Sequence, residues 1–395
     1  MAAVLVAADR SAPRNVVLVG AGHAHVEVLR SFAKSPPPGV SLTLVTRTRS
    51  TPYSGMLPGL VSGIYRLEET QIDTWPLAMA AGAKFLHAEA IGLDLNSRHV
   101  LCRDVAPVSY DIVSFDIGST PNTEGVPGAS DYAIPVKPID GFLNQFDALR
   151  RRVRERIGGS RIVLVGGGAA GIEHALSIER RLRTEATEAG LGSGQLKFAV
   201  ICASAEILPT FPARFQSKFR RVLQDRGIAI IENARVRAVA PGTIQIEGLP
   251  AVSADEILWV TEAAAPVWLA TTGLPLNRDG FIEIEATLRA RNQQNVFSVG
   301  DVAAFLPRNL PKSGVYAVRQ GPILSENIRR LVAGERLRRY SPQRQTLYLV
   351  STGERHAIGT RNGLVVEGDW VWRFKDWLDK RWMSRYQAAV GVGRH

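Results

Sequence analysis

The chain has 395 residues, 45% of them hydrophobic and 22% charged; at about 100–200 residues per domain this predicts two or three globular domains rather than one core. No apolar run approaches the roughly 18 residues of a membrane-spanning helix, and the opening MAAVLVAADRSAPRN lacks the basic start of a secretory signal. The formal charge of +11 is bunched at Arg150, Arg151, Arg152, Arg154 and Arg156, and again at Arg329, Arg330, Arg336, Arg338 and Arg339. No helix-turn-helix, zinc or aromatic RNA-binding signature accompanies it, so no nucleic-acid partner is expected, and the choice is between solvated arginine faces and an anionic membrane surface.

In chain order, residues 15–20 (NVVLVG) read as a buried parallel strand running into a glycine turn. A helix over 24–33 and a strand over 40–46 complete a β-α-β unit. Cys102 and Cys202 belong to no C-x-x-C pair and sit in apolar stretches, so a local redox dithiol and a cysteine-rich metal site are excluded and both read as small buried residues. Residues 110–118 (YDIVSFDIG) read as a strand ending in glycine, and Pro121, Pro127, Pro135 and Pro138 mark a linker. A second β-α-β unit follows: a strand at 161–165, a turn at 166–171, a helix from Ile172 toward Arg183, a loop over 186–194 and a strand at 196–202. Another strand is expected around Val260, a helix after Gly300-Asp301 through Asn327, and short strands from Leu347 that end in a tryptophan-rich tail.

Two turns carry the chemistry. In Gly20-Ala-Gly22-His-Ala-His25 the first glycine permits the tight turn and the second lets backbone approach a pyrophosphate, while the following helix offers free N–H groups and its positive end. His25 stands where the third glycine would, and Thr46-Arg47 stands where an acid would bind ribose hydroxyls. His23 and His25 are read as loop packing, cofactor neighbours or acid–base groups, and two histidines so placed form no metal site alone. The second turn, Gly166-Gly-Gly168-Ala-Ala-Gly171, is a complete fingerprint, with Glu173 two residues on and Cys202-Ala203-Ser204 at the end of its second strand. With neither an acid nor an adjacent arginine there, NADH and NADPH stay open. In NVFSVGDVA a strand delivers Asp301 to a turn, where it serves either a ligand hydroxyl or as a helix cap.

These motifs in this order, VVLVGAGHAH, YDIVSFDIGSTPN, RIVLVGGGAAGIE, NVFSVGDVA and LPKSGVYAVRQG, resemble the two-dinucleotide-binding-domain flavoproteins of the pyridine nucleotide-disulfide oxidoreductase type, especially the type II NADH dehydrogenases. TPYSGMLPGLVSG, FDIGSTP, AVRQGP and the tail FKDWLDKRWMSRY further resemble the flavoprotein half fused to selenide, water dikinase. The chain stops where that kinase would begin, so no ATP-dependent selenium chemistry is expected.

The resemblance implies an α/β fold of two Rossmann-like domains, the nicotinamide domain inserted in the FAD domain: 1–120 and 266–340 for FAD, 121–265 for NAD(P)H, and 341–395 as a C-terminal segment. It implies FAD at Gly20, Gly22, His23, His25, Thr46, Arg47, Gly118, Gly300, Asp301 and Ala317, with Asp301 on the ribityl chain. NADH or NADPH would be held by Gly166, Gly168 and Gly171. Glu173 and Gln320 are the catalytic candidates, Glu173 near the nicotinamide, and Ala317 and Gln320 beside the flavin ring. Lys137 is read as a flavin neighbour or a surface lysine, and Tyr53 and Met56 as a quinone-pocket lining or core. No metal is expected. The expected activity is hydride transfer from nicotinamide to flavin and electron transfer to a quinone, in the cytoplasm or peripherally on the inner face of the membrane. The alternatives are a soluble reductase of a small sulfur or selenium compound and a non-catalytic redox sensor. Tail residues Phe374, Trp377, Leu378, Trp382 and Tyr386, interspersed with Lys375, Lys380, Arg381 and Arg385, suit a bilayer interface, packing on the chain's own domain or a homodimer contact.

Overall fold

Continuous Val/Ile/Leu runs make strands that must be buried on both faces, and such strands form parallel sheets covered by helices. The computed structural model, which describes residues 13–387 apart from 124, 157, 191 and 262, contains two such sheets. In the first, strands lie in the order Val296–Ser298, Ile112–Phe115, Arg14–Val19, Val40–Thr46 and Lys84–His87, all parallel. In the second the order is Ile134–Pro135, Glu256–Trp259, Ser160–Val165, Leu196–Ile201 and Ile228–Ile231, also parallel. The chain leaves the first sheet and returns to it through an antiparallel pair, Thr120–Pro121 with Ala263–Ala264, so the second sheet is an insertion in the first.

Four helices position the site. α1 (His23–Lys34) and α2 (Ala169–Glu188) each begin at a glycine turn, α3 (Gly314–Ala333) crosses α1, and α4 (Asp369–Gln387) ends the described chain. The crossing of α3 over α1 needs a glycine, because a Cβ at Gly321 would come within 2.8 Å of the Glu27 Cβ.

Two local expectations are corrected, and one tail residue is placed. The loop placed at 186–194 begins later, because α2 runs to Glu188; Ala186 is buried on its packed face and supplies tertiary stabilisation where no strong stop signal intervenes. The helix placed directly after Asp301 starts only at Gly314: Ala303–Phe305 pairs with Ile282–Ile284, and Pro307 and Pro311 interrupt any helix between. Lys375, one of the cations interspersed in the tail, turns inward, as the own-domain packing alternative allows. Its Nζ donates to the Gly55 carbonyl at 2.6 Å and to Asp379 at 2.7 Å, because a carboxylate one helical turn on compensates its burial.

An antiparallel meander (Tyr348–Ser351, Ala357–Arg361, Leu364–Gly368) packs on the second core, and α4 follows it onto the first. Val350 and Ile358 join the second core with Leu57, Val61 and Leu176, while Trp382, Met383 and Tyr386 join the first. Expectations for residues 1–12 and 388–395, including the reading of the opening segment, lie outside the described residues.

Candidate functional site

The first glycine turn is closed from below. Gly20 has φ +87°, and a Cβ there would strike the Asp116 carbonyl oxygen; a Cβ on Gly22 would strike the Asp116 carboxylate. Asp116 ends the strand Ile112–Phe115, beside the turn, and is 3% exposed. Its Oδ2 accepts the amide hydrogens of Ala24 at 2.8 Å and His25 at 3.1 Å, capping a helix whose own N-cap, Gly22, has no side chain to do so. Gly300 belongs to the same cradle, since a Cβ on it would lie 2.5 Å from Asp116 Oδ1 and 3.5 Å from the Ala317 Cβ.

Gln320, 2% exposed, accepts the Gly300 amide hydrogen at 2.7 Å on Oε1, so its side chain braces the turn that carries Asp301. Asp301 lies in the short 3-10 turn Gly300–Val302, separated from α3, and therefore does not cap that helix. Its Oδ2 accepts from Lys137 Nζ at 2.7 Å, and Lys137 also approaches Ser119 at 3.4 Å. Lys137 is thus a partner of Asp301 rather than an isolated surface cation. Gly118, at φ +72°, has open space around a would-be Cβ.

His25 is buried with both ring nitrogens in use, Nδ1 with the Gly20 carbonyl at 2.6 Å and Nε2 with Ser114 Oγ at 2.8 Å. Burial pulls its pKa down to about 4, with the Gly20 contact acting the other way. Its imidazole therefore ties the turn to the neighbouring strand, replacing the close glycine packing of the complete fingerprint. Thr46 is buried and its hydroxyl donates to the Thr48 carbonyl at 3.1 Å. The next residue, Arg47, has an exposed side chain, and its carbonyl bonds His87 Nε2 at 2.8 Å.

His23, at the start of α1, faces an aromatic cluster. Its ring stands edge-on to Tyr53 and to Trp382, each with centroids 5.4 Å away, and Tyr53 stacks on Trp382 at 4.3 Å. Neither His23 Nε2 nor Trp382 Nε1 has a protein hydrogen-bond partner. Burial lowers the His23 pKa to about 4, so the ring is neutral at pH 7. Tyr53 also bonds Asp379 at 3.1 Å, whereas Met56 is packed in the core.

The second turn is built differently. A Cβ on Gly166 would strike the Val260 carbonyl oxygen, one on Gly167 the Cys202 sulfur, and one on Gly171 the Gly166 carbonyl oxygen, so these glycines are needed for close packing. Cys202 is the small residue that fits under the turn; it and Cys102 are both buried and unpaired. A Cβ on Gly168 would meet nothing within 4 Å, and α2 starts there without a side-chain cap. An uncapped helix end facing open space has the donors and dipole for a phosphate. Glu173, a turn into α2, accepts the Ser351 amide hydrogen at 2.7 Å. Burial raises its pKa to about 7, against the pull of Lys375 and Ser351 and with the push of Asp379.

The fold therefore brings Gly20, Gly22, Gly300, Asp301, Ala317 and Gln320 together around the first turn, with Lys137, and places Glu173 where α2 meets the C-terminal segment. Asp116 was missed, its one legible signal being an acid that ends the apolar run IVSFD, and so was the contact that brings Trp382 of the tail onto Tyr53, a residue already read as a pocket lining or core.

A profile of the pyridine nucleotide-disulphide oxidoreductase family matches residues 14–321. The NADH dehydrogenase-like protein YutJ of Bacillus subtilis is 23% identical over 300 residues, 74% of this chain and 77% of that protein. A type II NADH:quinone oxidoreductase of Staphylococcus haemolyticus is 23% identical over 348 residues, 82% of this chain and 83% of that protein. The fold is similar to the sulfide:quinone oxidoreductase of Aquifex aeolicus, with TM-score 0.79, 18% identity and coverage of 95% and 92% of the two chains. It is also similar to NDH2 of Plasmodium falciparum, solved with NADH, with TM-score 0.78, 14% identity and coverage of 93% and 97%. With two parallel sheets, two glycine turns and a family match across most of its length, the chain belongs to the pyridine nucleotide-disulphide oxidoreductase family.

Proposed function

We propose that this chain is an NAD(P)H:quinone oxidoreductase, with FAD on the first glycine turn, the nicotinamide dinucleotide on the second, and a quinone against the Tyr53–His23–Trp382 cluster. Members of the family use FAD with NADH or NADPH. Bound FAD supplies the hydride acceptor and the onward electron donor, which is chemistry the side chains lack. The protein's part is orientation. Asp301 and Lys137 present a carboxylate and an ammonium for flavin hydroxyl and ring atoms, and Gln320 fixes the backbone that carries Asp301. The open space over Gly168 and the uncapped start of α2 suit a second diphosphate.

The observation that carries the acceptor reading is the pair of unpartnered nitrogens, His23 Nε2 and Trp382 Nε1, where the rings of His23, Tyr53 and Trp382 meet. Buried polar atoms normally find partners, and a quinone carbonyl oxygen is an acceptor suited to the Trp382 indole N–H. The quinones named for the Staphylococcus relatives and the Aquifex neighbour support the same reading.

The other face of α4 supports a peripheral membrane contact. Trp370, Phe374 and Trp377 are 58%, 42% and 50% exposed along one stripe, with Arg381 over the Trp377 ring. Among the described residues no helix is long and apolar enough to cross a membrane. The acceptor test is steady-state oxidation of NADH and NADPH with a short-chain quinone, comparing the wild type with Trp382→Phe. The proposal expects quinone turnover and a several-fold higher quinone KM in the variant, with NAD(P)H-driven flavin reduction unchanged. Flavin that is reduced by NAD(P)H but not reoxidised by any quinone would overturn the acceptor assignment.

A further inference from the structure

The two glycine turns differ in one chemical respect. At the second, α2 begins at Gly168 with no side-chain cap and open space above it. At the first, the start of α1 already holds an anion: Asp116, 92 positions from Ala24, accepts the amides of Ala24 and His25. The same carboxylate lies under Gly22 and against Gly300, so it touches the turn, the helix start and the segment that carries Asp301.

A diphosphate is drawn to such a helix end by the same positive dipole end and by neighbouring amides that the carboxylate does not occupy. A carboxylate and a diphosphate then share one buried helix start, where like charges repel strongly because little water screens them. Protonation of Asp116 relieves this without breaking the cap. Both amides bond Oδ2, and that oxygen still accepts when the proton sits on Oδ1.

We propose that Asp116 is the proton-taking group of the FAD cradle: one proton from solvent is taken up on its carboxylate as the diphosphate of FAD settles on α1, and is released as FAD leaves. The inference rests on the reading that the first turn holds FAD.

Burial already raises the Asp116 pKa to about 7 in the protein alone, with the His25 and Ala24 amides pulling it down and Asp301 pushing it further up. The charges that face it are few. Asp301 is paired with Lys137, and from α1 the rings of His23 and His25 stay neutral above about pH 4. From α3 it meets the uncharged Gln320 through Gly300. Glu27, further along α1, is occupied by Arg30 and Tyr386. Lys312, near Asp301, also titrates in this range, lowered to about 8 by burial with Asp301 opposing.

The test uses the full-length flavoprotein, diluted at pH 6, 7, 8 and 9, with released FAD read by its fluorescence. For the wild type the FAD dissociation constant is expected to climb above pH 7 toward tenfold per pH unit, the limit for one linked proton. Asp116→Asn keeps an acceptor for the two amides, and Asp116→Ala removes the group altogether. Both should flatten the profile, and the Asn variant should hold FAD more tightly than the wild type at pH 9. Lys312→Gln should leave the slope in place. A flat wild-type profile from pH 7 to 9 overturns the proposal whatever the variants do, as does a slope that survives in either Asp116 variant. A wild-type protein that binds no FAD at any pH overturns the first-turn assignment itself, and this inference with it.

Discussion

Lys375 donates to the carbonyl oxygen of Gly55 at 2.6 Å, joining the C-terminal helix to the segment between the first β-α-β unit and the rest of its domain. The ammonium is deeply buried: desolvation works against its charge, and Asp379 and Glu173 outweigh it to leave the pKa raised. Asp379 in turn holds the Tyr53 hydroxyl, and Tyr53 stacks on Trp382. The tail therefore supplies part of the aromatic cluster around His23. Replacing Lys375 by Met leaves Asp379 as an uncompensated buried charge, and breaking such a pair costs about 3–5 kcal/mol. Lys375→Met is expected to lower the thermal midpoint, and Lys375→Met with Asp379→Asn should recover part of the loss. Equal midpoints for the wild type and the single variant would mean that the pair contributes nothing.

Asp301→Ala is expected to release flavin while leaving the fold intact. The change removes the partner of Lys137 and the carboxylate offered to the ribityl chain, and a charge-assisted hydrogen bond contributes about 1.5–3 kcal/mol. A roughly tenfold to hundredfold weaker FAD affinity follows, readable as free FAD on gel filtration with an unchanged circular dichroism spectrum. Undiminished retention would remove Asp301 from the site.

The two turns should separate by mutation. Gly168→Val projects into open space above α2, so folding and bound FAD are expected to survive while reduction by NAD(P)H slows and dithionite still bleaches the flavin. Gly22→Ala drives a methyl into the Asp116 carboxylate and should cost flavin and stability together. If Gly168→Val instead lost FAD and kept nicotinamide affinity, the two sites would be interchanged.

The raised pKa of Glu173 has a signed consequence. Its carboxyl rises from 4.5 to about 7, so between those values the folded chain holds a proton that the unfolded chain has lost. The contribution to stability is complete below 4.5 and is lost as the pH rises through 7. Glu173→Gln lacks that slope, so its stability relative to the wild type should improve from pH 5 to pH 8 by on the order of 1–3 kcal/mol, allowing for screening of a half-buried group. Urea unfolding at the two pH values measures the difference; a constant offset would contradict it.

The membrane contact is best tested by surface substitution. Truncation near Gly368 would also remove Lys375, Trp382 and Tyr386 from the core and is expected to cost flavin or solubility. The triple substitution Trp370→Ser, Phe374→Ser and Trp377→Ser changes the exposed face alone. It should abolish co-sedimentation with anionic vesicles, and no loss of binding would assign that stripe another role.

Much of the scaffold is legible in the residues. Runs such as VVLV and RIVLV end in glycines at Gly20 and Gly166, and the structure places strand, turn and helix there. The harder features depend on contacts between distant segments. Asp116 looks like the polar end of any buried strand until the fold lays it under Gly22. Phe374, Trp377, Trp382 and Tyr386 share a helical spacing, and only packing decides that the first two face outward and the last two inward. The inward turn of Lys375 is not legible in the sequence, because Gly55, whose carbonyl it reaches, is brought to it only by tertiary structure. His25 breaks the glycine fingerprint in a way that makes sense only beside Ser114.

The visible spectrum of the purified protein, followed under anaerobic conditions while NADH or NADPH is added and then a quinone, decides whether the chain carries hydride to a bound flavin and electrons onward. A bound-flavin spectrum is expected, bleached by about one equivalent of NADH or NADPH and restored by the quinone. A protein without flavin absorbance even after incubation with FAD, or a flavin that neither nicotinamide can bleach, would contradict it.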